Sequence, residues 1–151
     1  MTDYRLLCEQ MTSLMEDEPS YIPVLSNASA LLMDAMSDLN WAGFYLRDGE
    51  SLLLGPFQGK VACIRIPFGK GVCGTAAAED RLQLVEDVHQ FPGHIACDSA
   101  SNSEVVIPIH RDGEVVAVLD IDSPLPGRFT KEDAEGLCEF VNVLEAHLVW
   151  K

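Results

Sequence analysis

Two Asp-Gly pairs between apolar segments of strand period constrain the fold of this chain more than any other feature. Asp48-Gly49 lies between residues 40–46 and 51–54, and Asp112-Gly113, preceded by Arg111, lies between residues 105–109 and 114–122. Asp-Gly is typical of the tight turns that join antiparallel strands, so the chain predicts two β-hairpins. Because the second hairpin is apolar at nearly every position, we expect a sheet that is covered on both faces.

Apolar residues at helical spacing predict helices before the first hairpin and after the second. We expect one helix over residues 3–17 capped by Thr2, and a second from Ser20 to about residue 38. The last helix starts at Thr130 with a capping-box-like Asp133. The predicted buried stripes are Leu7, Met11, Leu14 and Met15; Leu25, Ala28, Leu32, Ala35 and Met36; and Leu137, Cys138, Val141, Leu144 and Leu148. With 151 residues, the chain predicts one α+β domain over residues 1–151.

The middle of the chain is richer in glycine and proline. Residues 55–60 predict a turn-rich connection, and residues 61–66 predict a short strand that carries Cys63. An alanine run after a glycine loop predicts a helix with Cys73 in its first turn, where the positive helix end favours a thiolate. The lysine of this glycine loop precedes the second glycine, which excludes a phosphate-binding P-loop. Pro108 within a strand indicates a sheet edge or a bulge.

A formal net charge of −14 excludes several classes of partner. Binding to nucleic acid or to an anionic membrane requires a basic face, so neither is expected. No apolar run reaches the roughly 18 residues of a membrane span, and the N-terminus lacks the basic flank of a signal peptide. We therefore expect a cytoplasmic protein. In that reducing compartment the five cysteines are expected to be catalytic, metal-binding or buried rather than in structural disulfides.

A long polar segment covers residues 84–104 and reads LVEDVHQFPGHIACDSASNSE. It contains Cys97, flanked by His94 and Asp98. A loop of this length in a small domain is typical of a segment that covers or forms a site. The sequence therefore predicts a functional site at this loop.

The cysteines divide into two groups. Cys8 and Cys138 accompany helical stripes and are expected in the core, whereas three others fall in loops or at element ends: Cys63, Cys73 and Cys97. Because the chain has no C-x-x-C, zinc ribbons and thioredoxin-like motifs are unsupported. Unreactive cysteines remain one alternative, and a zinc site remains another, with the ligands Cys63, Cys73, His94 and Cys97. We favour a redox pair, in which one thiolate attacks and a loop brings a second thiol to its oxidised sulfur.

Two further groups of residues share strand faces. Alternation places Trp41, Gly43 and Tyr45 on one face. The aromatic pair belongs either to the core or to the wall of an apolar ligand site in which Gly43 leaves room. Asp120 and Asp122 also share a face, at a strand end, where burial without partners would be costly. An exposed strand terminus is one interpretation of these carboxylates.

Six sequence strings carry a resemblance that covers essentially the whole chain: NWAGFY, LGPFQGK, GKGVCG, VEDVHQFPGHIACD, SNSEVVIP and LDIDSP. They closely resemble the free methionine-(R)-sulfoxide reductases, which are stand-alone enzymes of the GAF fold. The resemblance implies a central antiparallel sheet of about six strands. It also implies that the N- and C-terminal helices pack on one face of this sheet, with ligand loops on the other.

The resemblance implies a thiol-dependent reduction of free L-methionine (R)-sulfoxide. Cys97 matches the cysteine that attacks the sulfoxide sulfur and becomes a sulfenic acid. Cys63 matches the cysteine that commonly resolves it as an intramolecular disulfide, and Cys73 matches an alternative or relay thiol. Which of these two dominates stays open. Thioredoxin is the expected electron donor, and neither a metal nor an organic cofactor is expected.

The resemblance also implies a substrate pocket, whose carboxylates match Glu104, Asp120 and Asp122 and whose aromatic residues match Trp41 and Tyr45. Crowded carboxylates raise at least one pKa, which leaves an acid able to donate a proton. We assign that role to Asp122 and expect Glu104 and Asp120 to bind the substrate ammonium. The aromatic residues would hold the S-methyl group.

Two other functions are compatible with a GAF fold. One is a non-enzymatic sensor that binds a small molecule, and the other is a thiol redox sensor that modulates a partner. The resemblance further suggests a homodimer, although no residue decides the oligomeric state. The preference for the R epimer rests on the resemblance alone.

Overall fold

The computed structural model describes residues 1–94 and 100–149, which contain four α-helices and six strands. The helices are α1 (Tyr4–Leu14), α2 (Tyr21–Ala35), α3 (Gly71–Glu79) and α4 (Lys131–His147). The strands are β1 (Trp41–Asp48), β2 (Ser51–Gly59), β3 (Arg65–Pro67), β4 (Gln83–Val85), β5 (Ser103–Arg111) and β6 (Glu114–Ser123). Among the described helices, none has both the length and the apolar character that crossing a bilayer requires.

The described strands form one antiparallel sheet in the order β3-β2-β1-β6-β5-β4. The two predicted hairpins, β1–β2 and β5–β6, form its centre, and pairing of β1 with β6 joins them. At the second turn, Asp112 and Gly113 have positive φ angles of 53° and 80°. Two consecutive positive φ angles are the geometry that Asp-Gly favours in a two-residue hairpin turn. The predicted α+β fold with about six antiparallel strands is confirmed.

Strand β2 is longer than predicted. It continues through Gly59, so the prediction of a connection over residues 55–60 is wrong. The β1–β2 register shifts by one residue, which places Gly55 and Pro56 opposite Phe44. A bulge of this kind accommodates glycine and proline within a strand, because its extra residue needs no partner in the ladder.

The β5–β6 ladder contains a second bulge, between Ile109 and His110. Its neighbour Pro108 lies beyond the end of β4, where β5 is an edge of the sheet. Both features that proline indicates in a strand therefore occur here. The backbone N–H of His110 donates a hydrogen bond to Glu145 Oε2 of α4 at 2.5 Å. Helix α4 thus satisfies a backbone donor at the bulge.

The sheet separates two hydrophobic clusters, as the apolar pattern of the second hairpin predicts. Helices α1, α2 and α4 pack on one face, and α3 with the connecting loops covers the other. Along β1, Ala42 and Phe44 face the first cluster, whereas Trp41 and Tyr45 face the second. The expected placement of terminal helices and loops on opposite faces is confirmed.

The helix caps agree only in part with prediction. The N-cap of α1 is Asp3 rather than Thr2, and its side chain accepts a hydrogen bond from the Leu6 N–H at 3.0 Å. The difference is one residue, and either side chain can cap. The Thr130–Asp133 capping box of α4 is confirmed, with hydrogen bonds in both directions.

The buried stripes also agree in part. Ser20 occupies the N-cap position of α2, but this helix ends at Ala35, about three residues earlier than predicted. Leu14 and Ala35 are exposed, so their prediction as buried residues is wrong. Both lie in the last turn of their helices, and the residues that follow them, Met15 and Met36, are buried instead. Cys8 and Cys138 are partly buried against the helical cluster.

Strand β3 is much shorter than predicted. It contains three residues, Arg65–Pro67, so the prediction of a strand over residues 61–66 is wrong in its first part. Cys63 therefore lies in the loop between β2 and β3. In the predicted 84–104 loop, a 3-10 turn covers Val88–Gln90, and Cys97 lies outside the described residues.

Two carboxylates clamp the His110 side chain. Its Nε2 lies 2.5 Å from Asp80 Oδ1, and its Nδ1 lies 3.1 Å from Glu145 Oε2. Burial alone would lower the pKa of His110, but hydrogen bonds and the charges of these two carboxylates raise it above its ordinary value. A raised folded-state pKa stabilises the fold fully below the unfolded pKa of about 6.5, and this stabilisation is lost as pH rises through the folded-state value.

We expect His110→Asn to remove this pH-dependent stabilisation. An exposed ion pair contributes up to about 1 kcal/mol, which corresponds to about 2–4 °C in Tm at this chain length. The Tm difference from wild type should therefore reach a few degrees at about pH 6 and become smaller as the pH rises to about 9. His89→Asn is the matched control, because the His89 ring contacts the amide of Asn102 rather than a carboxylate. A Tm difference that does not change with pH would contradict stabilisation by the ion pairs of His110 with Asp80 and Glu145.

Candidate functional site

A small cavity opens on the α3 face of the sheet. It has a volume of about 40 Å³, room for on the order of three water molecules. Its wall combines the first turn of α3, the last part of β6 and the start of β5. The polar and aromatic residues of the wall include Tyr45, Cys73, His94, Glu104, Asp120 and Asp122. Five of these six are predicted site residues, and sequence reasoning also named His94 as a flank of the reactive loop.

The register of the sheet brings the three carboxylates together. Glu104 of β5 pairs directly with Asp122 of β6, and Asp120 lies two residues earlier on β6. Directly opposed residues and residues two apart in a strand share a face. On the other side of β6, Trp41 and Gly43 of β1 pair with Asp122 and Asp120. The carboxylates therefore converge next to the aromatic strand.

All three carboxylates are buried. The exposed fraction is 8% for Glu104, 5% for Asp120 and 8% for Asp122. The alternative of an exposed strand terminus is therefore wrong, because helix α3 covers this end of β6. The lining also contains Lys70, which forms no salt bridge with the three carboxylates within residues 1–94 and 100–149. The result is a buried site that contains three acidic side chains close together.

The electrostatics of the cluster favour protonation. Burial raises the pKa of Glu104 well above its ordinary value, and the charges of Asp120 and Asp122 add to this effect. Burial also raises the pKa of Asp120, although hydrogen bonds with Glu104, Asp122 and Cys73 oppose the increase. Since a hydrogen bond between two carboxyl groups needs a proton, the cluster holds a proton to higher pH than isolated carboxyl groups would.

One oxygen of the cluster has no hydrogen-bond partner among the described residues. Asp120 Oδ1 is buried and accepts no hydrogen bond. An orphaned buried acceptor costs about 1–3 kcal/mol, more when it is charged. A bound cation that donates hydrogen bonds would relieve both the orphaned oxygen and the crowding of negative charge.

Cys73 lies in the first turn of α3, as predicted, but its environment does not favour a thiolate. Its Sγ lies 3.8 Å from Glu104 Oε2 and is buried. Burial raises the pKa of the Cys73 thiol well above its ordinary value, and the charges of Asp120 and Glu104 raise it further. The prediction of an activated thiolate is therefore wrong, because these effects exceed that of the helix end. Cys73 is a neutral thiol that donates to Glu104.

The aromatic wall contains three stacked rings. The ring centroids of Trp41 and Tyr45 lie 5.9 Å apart, and those of Trp41 and Phe57 lie 5.1 Å apart. Only Tyr45 of these three lines the described part of the cavity. Phe57 is missing from the predicted site, because the Gly-Pro sequence before it concealed the continuing strand. Its burial against Trp41 is visible only once β2 is paired with β1.

Gly43 leaves room for Phe57 rather than for a ligand. A Cβ built at Gly43 would lie 2.3 Å from the Phe57 Cβ and 2.9 Å from the Trp41 ring. Real Cβ atoms do not approach this closely, so only glycine permits the two strands and the Trp41 ring to pack here. The expectation that Gly43 leaves ligand space is wrong.

The aromatic wall also fixes the loop that carries Cys63. The Tyr45 hydroxyl donates to the Cys63 carbonyl at 2.9 Å, and Trp41 Nε1 donates to the Lys60 carbonyl at 3.1 Å. Cys63 is disulfide-bonded, whereas Cys73 is a free thiol. The two cysteines therefore differ in redox state as well as in burial. Cys97, the predicted nucleophile, lies outside the described residues.

A metal could be held in the described cavity by a different ligand set from the one considered above. The Cys73 thiol and one carboxylate oxygen each from Glu104 and Asp120 lie within 4.8 Å of one another. A metal ion would have to displace protons from groups whose pKa is raised. Within the proposed zinc set, the disulfide-bonded Cys63 offers no thiolate in this state.

The GAF domain family matches residues 23–148 of this chain. The free methionine-R-sulfoxide reductase of Escherichia coli strain K12 is 54% identical over 142 residues, which are 94% of this chain and 86% of that protein. Sequence similarity therefore extends over nearly the whole of both chains.

Two solved structures are similar in both sequence and shape. The fRMsr of Staphylococcus aureus in complex with substrate is 53% identical with a TM-score of 0.94, and the match covers 99% of this chain and 97% of that one. The free methionine-R-sulfoxide reductase of Neisseria meningitidis, solved in complex with its substrate, is 44% identical with a TM-score of 0.92. That match covers 95% of this chain and 87% of the other.

Proposed function

This chain belongs to the free methionine-R-sulfoxide reductases, a family of GAF-domain proteins, and we propose on that premise that it reduces free L-methionine (R)-sulfoxide to L-methionine. The observation that carries the proposal is the buried cluster of Glu104, Asp120 and Asp122 beside a small cavity. A free amino acid differs from a methionine residue within a protein in its ammonium group. Three carboxylates are a site for that group.

The cluster would bind the substrate ammonium. An ammonium offers three donors and one positive charge. Asp120 Oδ1 lacks a partner and supplies one acceptor, and its neighbours supply the others. Because the site is desolvated, the interaction of unlike charges is stronger here than at the surface. Specificity for the free amino acid follows, since a peptide nitrogen carries no charge.

The other end of the substrate would contact the aromatic wall. We assign the S-methyl group to Tyr45, with Trp41 stacked behind it. Sulfur and methyl groups pack favourably against aromatic rings. Tyr45 lines the same cavity as the three carboxylates, so one bound molecule can contact both.

The cluster would also supply the proton that the sulfoxide oxygen takes up. We assign this role to Asp122, which pairs directly with Glu104. The pKa of Glu104 is raised by burial and by its neighbours, which favours a protonated carboxyl group next to Asp122. A carboxylic acid that remains protonated near pH 7 is a suitable general acid.

The proposed redox cycle uses Cys97 and Cys63. The Cys97 thiolate attacks the sulfoxide sulfur, methionine leaves, and Cys97 becomes a sulfenic acid. The Cys63 thiol condenses with it, releasing water and forming a disulfide. The disulfide-bonded state of Cys63 supports its assignment as the main resolving thiol. Cys73 is better explained as the donor that holds Glu104, because burial keeps its thiol neutral.

Regeneration would need two electrons from thioredoxin and no bound metal or organic cofactor. We place the protein in the cytoplasm, where the thioredoxin system keeps thiols reduced. We also propose one GAF domain over residues 1–151, assembled as a homodimer.

The test is NADPH consumption in the presence of thioredoxin and thioredoxin reductase, with the two epimers of free methionine sulfoxide supplied separately. We expect turnover with the R epimer, at least about tenfold slower turnover with the S epimer, and no change after a chelator is added. Equal amounts of methionine should accompany the NADPH consumed. A flat trace with both epimers would contradict the proposed function and favour the sensor alternatives.

A further inference from the structure

The loop that carries Cys63 has two unusually exposed apolar side chains. Val61 is 87% exposed and Ile64 is 71% exposed. Among the described residues, only Met1 is a more exposed large hydrophobic side chain. Single exposed apolar residues need no explanation, but these two flank a disulfide-bonded cysteine. The loop therefore presents a reducible sulfur within an apolar surface.

This surface is held in place from behind. Trp41 and Tyr45 donate hydrogen bonds to the carbonyls of Lys60 and Cys63. The Leu54 N–H donates to the Ile64 carbonyl at 2.8 Å. Three hydrogen bonds between the loop backbone and the sheet thus fix a segment without regular secondary structure. The exposure of Val61 and Ile64 is a property of an anchored loop.

The charge around the loop differs from that of the rest of the chain. The chain has 24 acidic and 10 basic residues, yet none of the acidic ones lies between Glu50 and Glu79. Lys60 and Arg65 flank the loop and both are exposed, although Arg65 pairs with Asp48 at 2.9 Å. A partner with acidic groups around its binding face would be repelled elsewhere and attracted here.

We propose that residues 60–65, the docking loop, form the surface on which the reductant protein binds, and that this reductant attacks the sulfur of Cys63. The inference rests on the proposed function. The proposed partner is a dithiol reductase of the thioredoxin class, with an apolar surface beside its reactive thiol and acidic groups around it. Val61 and Ile64 fill the apolar surface, and Lys60 and Arg65 meet the acidic groups.

The chemistry balances as two thiol–disulfide exchanges. The reductant thiolate attacks Cys63 Sγ and forms an intermolecular S–S bond. The original bond of Cys63 breaks, and its partner sulfur leaves as a thiolate that takes up a proton. The second thiol of the reductant then attacks the mixed disulfide and releases Cys63. The enzyme gains two electrons and two protons, and the reductant becomes a disulfide.

The first experiment compares two reductants on one variant. In the double variant Val61→Ser and Ile64→Ser, we expect KM for thioredoxin to rise about tenfold or more, while turnover with dithiothreitol stays near that of wild type. The matched control is Leu14→Ser with Ile22→Ser, two exposed apolar residues on α1 and α2. An unchanged KM for thioredoxin would overturn the proposal that the reductant binds at the docking loop. Equal losses with both reductants would overturn it too, since they would assign these side chains to substrate turnover.

A charge reversal tests the basic flank independently. Lys60→Glu should raise KM for thioredoxin, and this increase should shrink at high salt because the interaction is screened. Lys131→Glu, an exposed lysine at the start of α4, is the control. Equal effects of the two reversals would contradict a local role of Lys60.

The second experiment locates the attacked sulfur without using the substrate. A thioredoxin variant that lacks its second active-site cysteine should form a stable mixed disulfide with the oxidised protein. Peptide mapping should find it on Cys63. An adduct on any other cysteine would overturn the inference. If wild type produces no methionine with either reductant, the proposed function fails, while this trapping result still decides where a reductant docks.

Discussion

Replacing Cys97 with serine should lower turnover of free methionine (R)-sulfoxide at least about a thousandfold and leave the fold intact. The serine hydroxyl is a far weaker nucleophile than a thiolate at neutral pH, and it cannot form the sulfenic acid on which the cycle depends. The measurement is methionine formed per enzyme with thioredoxin as donor, together with the unfolding curve. Multiple turnovers by Cys97→Ser would contradict its assignment as the nucleophile.

The cysteine variants distinguish attack from resolution. Cys63→Ser should form about one methionine per chain and then stall with thioredoxin, because the sulfenic acid forms without its resolving partner. Cys73→Ser should continue to turn over, since a hydroxyl can replace the thiol as a donor to Glu104. The contrast between these two isosteric variants is the control. A stall in Cys73→Ser and sustained turnover in Cys63→Ser would reverse the two roles.

Replacing Asp120 with asparagine should raise KM for the substrate about 10- to 100-fold and also stabilise the free protein. The first effect reflects the loss of a charge-assisted hydrogen bond to the ammonium, which contributes about 1.5–3 kcal/mol. The second reflects relief of crowding, because Asp120 is buried beside Glu104 and Asp122 with one oxygen unpartnered. Lower affinity with higher stability is characteristic of a site held in an unfavourable state for its ligand.

The stabilisation should depend on pH. The pKa values of Glu104 and Asp120 are raised by burial, so the folded state holds more protons than the unfolded state between the two sets of pKa values. Stability therefore falls as pH rises through that range, and the advantage of Asp120→Asn should grow with pH. Thermal unfolding at several pH values checks this, with Asp17→Asn, the same change at an exposed position, as control. N-acetylated substrate should be poor for wild type, and comparable rates on both substrates would contradict ammonium recognition.

The elements of the fold were predictable wherever local signals agree. The Asp112-Gly113 turn and the Thr130 capping box depend only on neighbouring residues, and both are confirmed. Residues 55–60 mislead because glycine and proline normally interrupt strands, whereas here a bulge accommodates them. Cys63 was placed in a strand for the opposite reason, since apolar residues dominate a segment that is an exposed loop. Local composition does not reveal which apolar residues find a partner.

The candidate site required more than local signals. Alternation along one strand places Asp120 and Asp122 on a common face, but it does not show that α3 covers them. The helix-end argument for Cys73 omitted its neighbours, which come from two distant strands and determine its pKa. Glu104 and Phe57 enter the site through strand pairing, which no single segment encodes.

The bulge between Ile109 and His110 has a consequence at the far end of the hairpin. It shifts the β5–β6 register by one residue, so that Glu104 opposes Asp122 instead of Ile121. The extra residue is Val116 of β6, and without this bulge the side chains of Asp120 and Asp122 would point into the helical core, because a one-residue slip exchanges the two faces of a strand. The number of residues between the turn and the cavity therefore determines which side chains face the cavity, about 20 Å along the strand. Pairing of β6 without the bulge would remove two carboxylates from the site, although no residue of the site would have been altered.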